Sequence, residues 1–306
     1  MPTYKVIVNP ISGRGRGEQS IPEIRRLLDL HGIQYDLVTT ERPGHAIALA
    51  KQAAQDGFNA VIAAGGDGTA NEVLNGLMLA REDGNNHPAM TILCVGRGND
   101  FAYGLGLPVD LEAGCQVIAK NVKKPIDVGW VRGGLYPEGR YFGNGVGVGF
   151  DAVVGFEALK LKRLHGFASY IVAALKTIFL YFRAPLVKIE MDSEVITQAA
   201  LMVSIMNGQR MGGGFMMAPN SQTDDGLFDV CIARQVSRLG IFALIPRFMK
   251  GTQGSHPAIN FAQTKHILIT ALKGVLPAHA DGETLCTDGD CLEVIIHPSA
   301  LDIIVP

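Results

Sequence analysis

A chain of 306 residues that is 47% hydrophobic and 18% charged is long enough for two cores and excludes intrinsic disorder. A net charge of −2, with neither a basic tail nor a base-stacking motif, gives no general drive toward nucleic acid, although local basic patches could meet a nucleotide or an anionic membrane. Five cysteines without a CxxC pair leave one over, against a disulfide framework and structural zinc; they read as reduced core or loop residues, with Cys286 and Cys291 able to pair only after purification.

Tyr4 to Val8 reads as a first strand. Met1 to Pro10 holds no charged segment, apolar core of adequate length and cleavage site, so no signal peptide is expected and the expected location is the cytoplasm. The strand runs into Asn9-Pro10-Ile11-Ser12-Gly13-Arg14-Gly15-Arg16-Gly17, ahead of a helix with Ile24, Leu27 and Leu28 inward. The spacing is neither GxGxxG nor GK[ST], so a dinucleotide Rossmann site and a P-loop are both unsupported. Arg14 and Arg16 either flank phosphates or are ordinary surface charges. Gln34 to Thr40 reads as the next strand, and His45 to Asp56 as a helix with Ala46, Leu49 and Ala53 inward.

Asn59 to Leu79 organises this half. Ala60 to Ala64 is a wholly apolar run, suited to a strand buried on both faces, and it ends in Gly65, Gly66 and Gly68. Thr69 and Glu72 have the spacing of a capping box, and Val73, Leu74, Leu77 and Met78 mark one helical face. A glycine turn that opens a helix lets amides approach a ligand and favours negative charge, which makes a phosphate seat. Asp67 would repel an anion there unless a divalent cation or fixed water intervenes, which points to Mg²⁺-nucleotide. The alternative is that Asp67 hydrogen-bonds turn amides and Glu72 completes its own cap. Thr91 to Val95 is another strand, closed by Gly96-Arg97-Gly98-Asn99-Asp100-Phe101-Ala102, and ligands of open α/β sheets bind at such strand ends. The alternation over residues 1 to about 125 predicts a doubly wound parallel domain.

From Pro125 the pattern changes to short strands: Ile126 to Val131, Arg140 to Val148, Leu186 to Met191, Ala199 to Asn207, Phe228 to Ala233, His266 to Ala271 and Leu292 to His297. They predict a mostly antiparallel β domain. Gly143, Gly145, Gly147 and Gly149 alternate within one expected strand, a sign of close packing or a bulge more than of a cofactor loop. Residues 156 to 183 are helical in tone, with Lys160, Lys162 and Arg163 ahead of an apolar run that Lys176 interrupts and that is too short to span a bilayer. Leu239 to Lys250 is a second such segment around Pro246. Each could lie on a membrane, line an acyl pocket, or cover an open sheet face. Last comes His279-Ala280-Asp281-Gly282-Glu283. Two carboxylates on a glycine turn can hold a hydroxyl and accept its proton; His279 and Asp281 could instead be metal ligands, though no further His or Cys has ligand spacing, or the segment is a plain β-turn.

Taken together, Asn9-Pro10 with Ser12-Gly13, Gly65-Gly66-Asp67-Gly68-Thr69 with Asn71-Glu72, Gly98-Asn99-Asp100-Phe101 and Ala280-Asp281-Gly282-Glu283 resemble the diacylglycerol kinase catalytic-domain family of bacterial lipid kinases, over essentially the whole chain. The resemblance implies an α/β fold with an N-terminal doubly wound parallel-sheet nucleotide domain followed by a mostly antiparallel β-sandwich domain. The expected boundaries are 1–128, with 299–306 returning to it, and 129–298. It implies ATP contacts from Asn9, Pro10, Ile11, Ser12 and Gly13, from Thr40, and from Gly66, Asp67, Gly68, Thr69, Ala70, Asn71 and Glu72, with Asn99 and Asp100 in the same site. It further implies that Asp67, Asp100 and Asp127 organise Mg²⁺ and water, and that a structural Mg²⁺ is held by the Asp225 carboxylate and the carbonyls of Gln222 and Leu227. Glu283 matches the proton acceptor, with Asp281 beside it. Members usually carry Ser or Thr where this chain has Arg97, and often Pro where it has Val95; Arg97 either binds phosphate itself or narrows the site.

The expected activity is ATP-dependent phosphorylation of a hydroxyl of diacylglycerol or a related lipid, in phospholipid metabolism. The expected partners are ATP and a membrane lipid, with peripheral membrane contact, no nucleic acid, and a homodimer left open. Two rivals stand: a soluble-substrate kinase such as an NAD kinase, which shares G-G-D-G, and a catalytically silent nucleotide or lipid sensor. Gly98-Asn99-Asp100-Phe101, the apolar helices and the terminal Asp-Gly-Glu favour the lipid; the intact Asp67, Asp100, Asp281 and Glu283 count against the sensor. No residue names the headgroup or the acyl length.

Overall fold

The computed structural model describes residues 3–96, 98–161, 167–180 and 183–306. Arg97, Lys162, Arg163, Tyr181 and Phe182 lie outside the described residues. Two compact units emerge, Met1–Asp127 with Ser299–Pro306, and Val128–Pro298.

In the first unit β1 (Thr3–Val8), α1 (Ser12–Leu30), β2 (Gln34–Thr39), α2 (His45–Gln55), β3 (Ala60–Gly65), α3 (Asp67–Glu82) and β4 (Ala89–Cys94) alternate, followed by α4 (Asp100–Gly104) and α5 (Leu111–Lys120). β1 pairs with β2 and β3, and β3 with β4, all parallel. Ala60 to Ala64 are fully buried, as an apolar run covered on both faces requires. Register positions the motifs: Val8 lies opposite Ala64, and Gly65 opposite Cys94, so the turns after β1, β3 and β4 leave the same edge of the sheet. α2 buries Ala46, Ala50, Ala53 and Ala54, while Leu49, expected to face inward, is only half-buried. The chain's end adds a further parallel strand, with Ile303 opposite Met90.

β5 (Lys123–Gly133) leads out of this unit. In the second unit follow β6 (Tyr136–Phe142), β7 (Gly145–Gly149), α6 (Phe150–Lys160), α7 (Phe167–Leu180), β8 (Leu186–Met191), β9 (Val195–Met206), β10 (Phe228–Arg234), α8 (Arg238–Lys250), β11 (Ile259–Thr264), β12 (His266–Lys273), β13 (Leu276–Ala280), β14 (Glu283–Gly289) and β15 (Cys291–Ile304). The pairings within this unit are antiparallel. The long β9 pairs through its first half with β8 and through its second half with β7 and β10, so one strand serves both sheets. Between them lies a core that includes Val148, Ile189, Ile205, Ile232 and Ile269, with the Phe142 and Phe228 rings stacked at 5.6 Å. A second cluster joins α6, α7 and α8 to β9 and β10 through Val154, Ile178, Met202, Ala233 and Leu244.

Several expectations need correction. Arg140 to Val148 is not one strand: β6 ends at Phe142 and β7 starts at Gly145, because the amides at the junction bond to the Asp281 side chain instead of to a neighbouring strand. The helical segment from 156 starts earlier, with α6 at Phe150, and α7 follows as a separate helix. Lys160 does not stand as a free basic residue: it and Lys176 both pair with the buried Glu157 carboxylate at 2.6 Å, tying α6 to α7. β11, β13, β14 and α5 were not anticipated from the sequence. All five cysteines are free, Cys291 alone exposed.

Candidate active site

The turn between β3 and α3 is built from backbone. Gly66 is the extended N-cap residue, and the first intrahelical bond is donated by the Ala70 amide to the Gly66 carbonyl at 3.0 Å. The amides of Gly68 and Thr69 precede that bond and have no intrahelical acceptor, which gives the turn its attraction for an anion. The Asn9 amide donates to the Ala64 carbonyl at 3.0 Å, and its side-chain Nδ2 donates to Thr69 Oγ1 at 3.0 Å, so the post-β1 loop is stitched to the first turn of α3. The Pro10 carbonyl accepts from the Glu18 amide and the Asn9 carbonyl from the Ser12 amide; Ile11 is exposed, and Gly13 turns left-handed beside Val95.

Asp67 is the first residue of α3, where a carboxylate is favoured by the helix dipole. Its Oδ1 accepts the Phe101 amide at 3.0 Å, and its Oδ2 lies 2.6 Å from where a Cβ on Gly98 would stand. Glycine at 98 is therefore the condition for the post-β4 turn to close on Asp67. Asn99, left-handed and buried, caps α4, and its Oδ1 is buried without a hydrogen-bond partner among the described residues; Asp100 beside it is also buried. Ala70 and Asn71 are buried in α3, with Asn71 accepting from Asn75 Nδ2.

The capping-box reading of Thr69 and Glu72 does not hold, since α3 begins two residues before Thr69. Glu72 caps a different helix: its Oε1 accepts the Gly44 amide at 2.8 Å and its Oε2 the Ala46 amide at 3.0 Å, at the start of α2. It thereby anchors the loop after β2, at whose start the Thr40 amide donates to the Val8 carbonyl. Asp127 is fully buried and its Oδ1 accepts the Ser299 amide at 2.8 Å, holding the returning C-terminal segment.

In the second unit Asp281 and Gly282 are the two central residues of a hairpin joining β13 to β14, with φ of 47° and 85°, the arrangement of a type I′ turn. The two carboxylates differ. Asp281 accepts three backbone amides, from Gly143 at 2.8 Å on Oδ2 and from Asn144 at 3.0 Å and Gly145 at 2.9 Å on Oδ1. Glu283 is exposed, and its carboxylate makes no hydrogen bond or ion pair among the described residues. The Asp281 carboxylate is thus engaged by the main chain, whereas that of Glu283 faces solvent.

Two further titratable residues stand close to this turn, His279 and Asp151. Burial pushes the Asp151 carboxyl up to about 7, against the lowering effect of hydrogen bonds from Ser204 and Ala152, and pushes the His279 imidazole down to about 4. In the sequence His279 reads as a neighbour of the carboxylates or, with Asp281, as a metal ligand; Asp151 carries no sequence signal, because its enclosure comes from strands far along the chain.

Among the described residues no group of three or more His, Cys, Asp or Glu side chains is gathered to hold a metal. Mg²⁺ needs fewer protein ligands, because it keeps waters and takes phosphate oxygens. Asp67 at the start of α3 and Asp100 at the start of α4 carry carboxylate oxygen donors. In the turn Gln222–Leu227, Asp225 is exposed and uses Oδ1 to accept the Leu227 amide at 3.0 Å. Both donor sets have the hard-oxygen chemistry that Mg²⁺ requires.

A family model described as the diacylglycerol kinase catalytic domain matches residues 3–131, and one described as the YegS C-terminal NAD kinase beta sandwich-like domain matches residues 144–305. A diacylglycerol kinase of Staphylococcus saprophyticus subsp. saprophyticus is 28% identical over 280 residues, covering 91% of this chain and 88% of its own length. One of Bacillus subtilis (strain 168) is 28% identical over 285 residues, covering 92% and 90%. A crystal structure from Bacillus anthracis str. Sterne, provisionally named a diacylglycerol kinase, matches with a TM-score of 0.81 over 100% of this chain and 95% of that one; at 24% identity the likeness speaks for the fold.

Proposed function

Because the chain belongs to the diacylglycerol kinase catalytic-domain family of lipid kinases, with the YegS-type β domain behind it, we propose that it transfers the γ-phosphoryl group of ATP to the free hydroxyl of a diacylglycerol or a closely related lipid. The observation that carries this reading is the β3–α3 turn, where the first amides of α3 lack intrahelical acceptors, Asn9 donates to the Thr69 hydroxyl and the Phe101 amide donates to Asp67. In this reading the amides of Gly68 and Thr69 seat ATP phosphates, with the loops after β1, β2 and β4 around them. Glu283 orients the lipid hydroxyl and removes its proton as the oxygen attacks in line. Asp281 shapes the turn that presents Glu283. Asp67 and Asp100 would hold the nucleotide's Mg²⁺, which supplies charge neutralisation on the phosphate oxygens, and Asp225 with the carbonyls of Gln222 and Leu227 a structural one.

A lipid acceptor also needs a surface that meets a bilayer. No helix among the described residues is long and apolar enough to cross one. α7 leaves Val172, Leu175 and Phe179 exposed, and α8 leaves Leu239 and Phe242 exposed, with Arg238 stacked over the Phe179 ring. Residues 158–189 and 230–280 contain twelve Lys and Arg and no Asp or Glu, in a chain whose net charge is −2. Exposed apolar side chains in segments rich in Lys and Arg support contact with an anionic lipid surface.

Two substitutions separate the proposed ions. Asp67→Asn should abolish Mg²⁺-dependent turnover while the protein melts cooperatively. Asp225→Ala should lower the melting temperature and remove any stabilisation by Mg²⁺ in the absence of nucleotide. Near-normal turnover of a folded Asp67→Asn protein would sink the role given to Asp67, and an unchanged Mg²⁺ response in Asp225→Ala would sink the structural ion.

A further inference from the structure

The phosphoryl-transfer reading leaves unused a set of polar side chains at the root of the Asp281–Gly282 turn. His279 on β13, Gly147 on β7 and Ser204 on β9 stand directly opposite one another on three adjacent strands, so they share one face of the sheet. α6 starts immediately after β7, and Asp151 in its first turn reaches that face: the Ser204 hydroxyl donates to Asp151 Oδ2 at 2.6 Å, and the Ala152 amide donates to Oδ1 at 2.8 Å. Gly147 permits the arrangement. A Cβ there would stand 2.6 Å from Asp151 Oδ2 and 2.7 Å from His279 Nε2, so carboxylate and imidazole converge over the same bare backbone. On its other edge the ring accepts the Gly282 amide on Nδ1 at 3.3 Å.

The hydrogen bonds fix the proton on the ring. Burial keeps His279 neutral at ordinary pH, and a neutral imidazole that accepts on Nδ1 must carry its hydrogen on Nε2, the nitrogen turned toward Asp151. The hairpin is thus held twice, by amides of residues 143–145 on Asp281 and by His279 on Gly282, and the next residue is Glu283.

We propose that His279 is a positioning residue for phosphoryl transfer: its imidazole holds the Gly282 amide and so fixes the direction in which Glu283 is presented. The proposal rests on the reading of Glu283 as the group that takes the acceptor's proton. Displacing a catalytic group by about 1 Å costs on the order of 100-fold in rate, so a residue that only orients the turn can govern turnover.

The test combines steady-state kinetics of the full chain with nitrogen NMR of the imidazole. His279→Leu should lower kcat by about 10- to 100-fold while KM for ATP stays within about twofold. His279→Asn, whose side-chain oxygen can stand where Nδ1 did, should regain most of the loss. The wild-type ring should report hydrogen on Nε2. An unchanged kcat in a folded His279→Leu protein, or a wild-type ring with hydrogen on Nδ1, would overturn the proposal. If the leucine variant does not fold, the wild-type ring spectrum and kcat of the asparagine variant still decide. Glu283→Gln separates the two levels: full turnover there removes the base assignment, while the ring spectrum still decides whether His279 holds the turn.

Discussion

Two carboxylates two residues apart on one hairpin show how environment divides roles. Asp281 is committed to three backbone amides, and Glu283 is free to meet a hydroxyl. Glu283→Gln should bind ATP normally, melt like the wild type and lose turnover by about 100- to 10,000-fold. Asp281→Asn should instead cost stability, by roughly 2–3 kcal/mol for weakened charge-assisted bonds, with a loss of activity that follows the distorted turn. A fully stable Asp281→Asn protein without activity would reverse the assignment. The sequence exposed the pair but not the division, because the amides that decide it come from residues 143–145, more than a hundred positions earlier.

Asp151 and His279 make a second residue-scale test. A carboxyl raised to about 7 stabilises the fold when protonated, so its contribution is present below the unfolded aspartate value and is lost as pH rises through 7. An imidazole lowered to about 4 stabilises the fold when neutral, so its contribution is present above about 6.5 and is lost as pH falls through 4. Between about pH 4 and 6.5 the two slopes oppose each other, each at up to about 1.4 kcal/mol per pH unit. Relative to the wild type, His279→Leu should therefore lose stability as pH rises across that window, and Asp151→Asn should gain it. Denaturant melts at several pH values read these differences directly; parallel curves for all three proteins would show that neither group is buried in the manner described.

At the scale of elements, local periodicity succeeded where packing obeys it. The apolar run of β3 and the inward stripe Ile24, Leu27 and Leu28 of α1 are buried as their patterns required. Patterns with a second explanation misled: Thr69 and Glu72 have capping-box spacing, yet Glu72 serves α2, a choice made by tertiary structure. The run of alternating glycines looked like one strand, but Asp281 draws the junction amides out of the ladder. Of the three readings of α7 and α8, cover for the sheet is met by one face, buried on β9 and β10, while the other face is exposed. Replacing the exposed Phe179 and Leu239 together with Ser should weaken co-sedimentation with anionic vesicles several-fold, and binding of the wild type should fall with salt and be weak on neutral vesicles. Equal, negligible sedimentation with both vesicle types would leave these helices as cover for the sheet alone.

At the scale of the whole molecule, alternation of strands and helices gave way near residue 125 to strands without intervening helices, and that change made the α/β and antiparallel regions legible. Less legible was the path of the chain's end: β15 continues from the antiparallel region into a parallel pairing beside β4, where Ile303 meets Met90, and no local signal marks the transition within one apolar strand. The central claim is that this chain moves phosphate from ATP to a lipid hydroxyl. The most direct measurement incubates the purified protein with γ-labelled ATP, Mg²⁺ and mixed vesicles containing diacylglycerol, then separates organic from aqueous products. Label should enter the organic phase as a phosphorylated lipid, depend on the diacylglycerol, and vanish with Asp67→Asn and Glu283→Gln. Label confined to the aqueous phase with the active wild-type protein, across diacylglycerols and an extracted membrane lipid pool, would contradict the account.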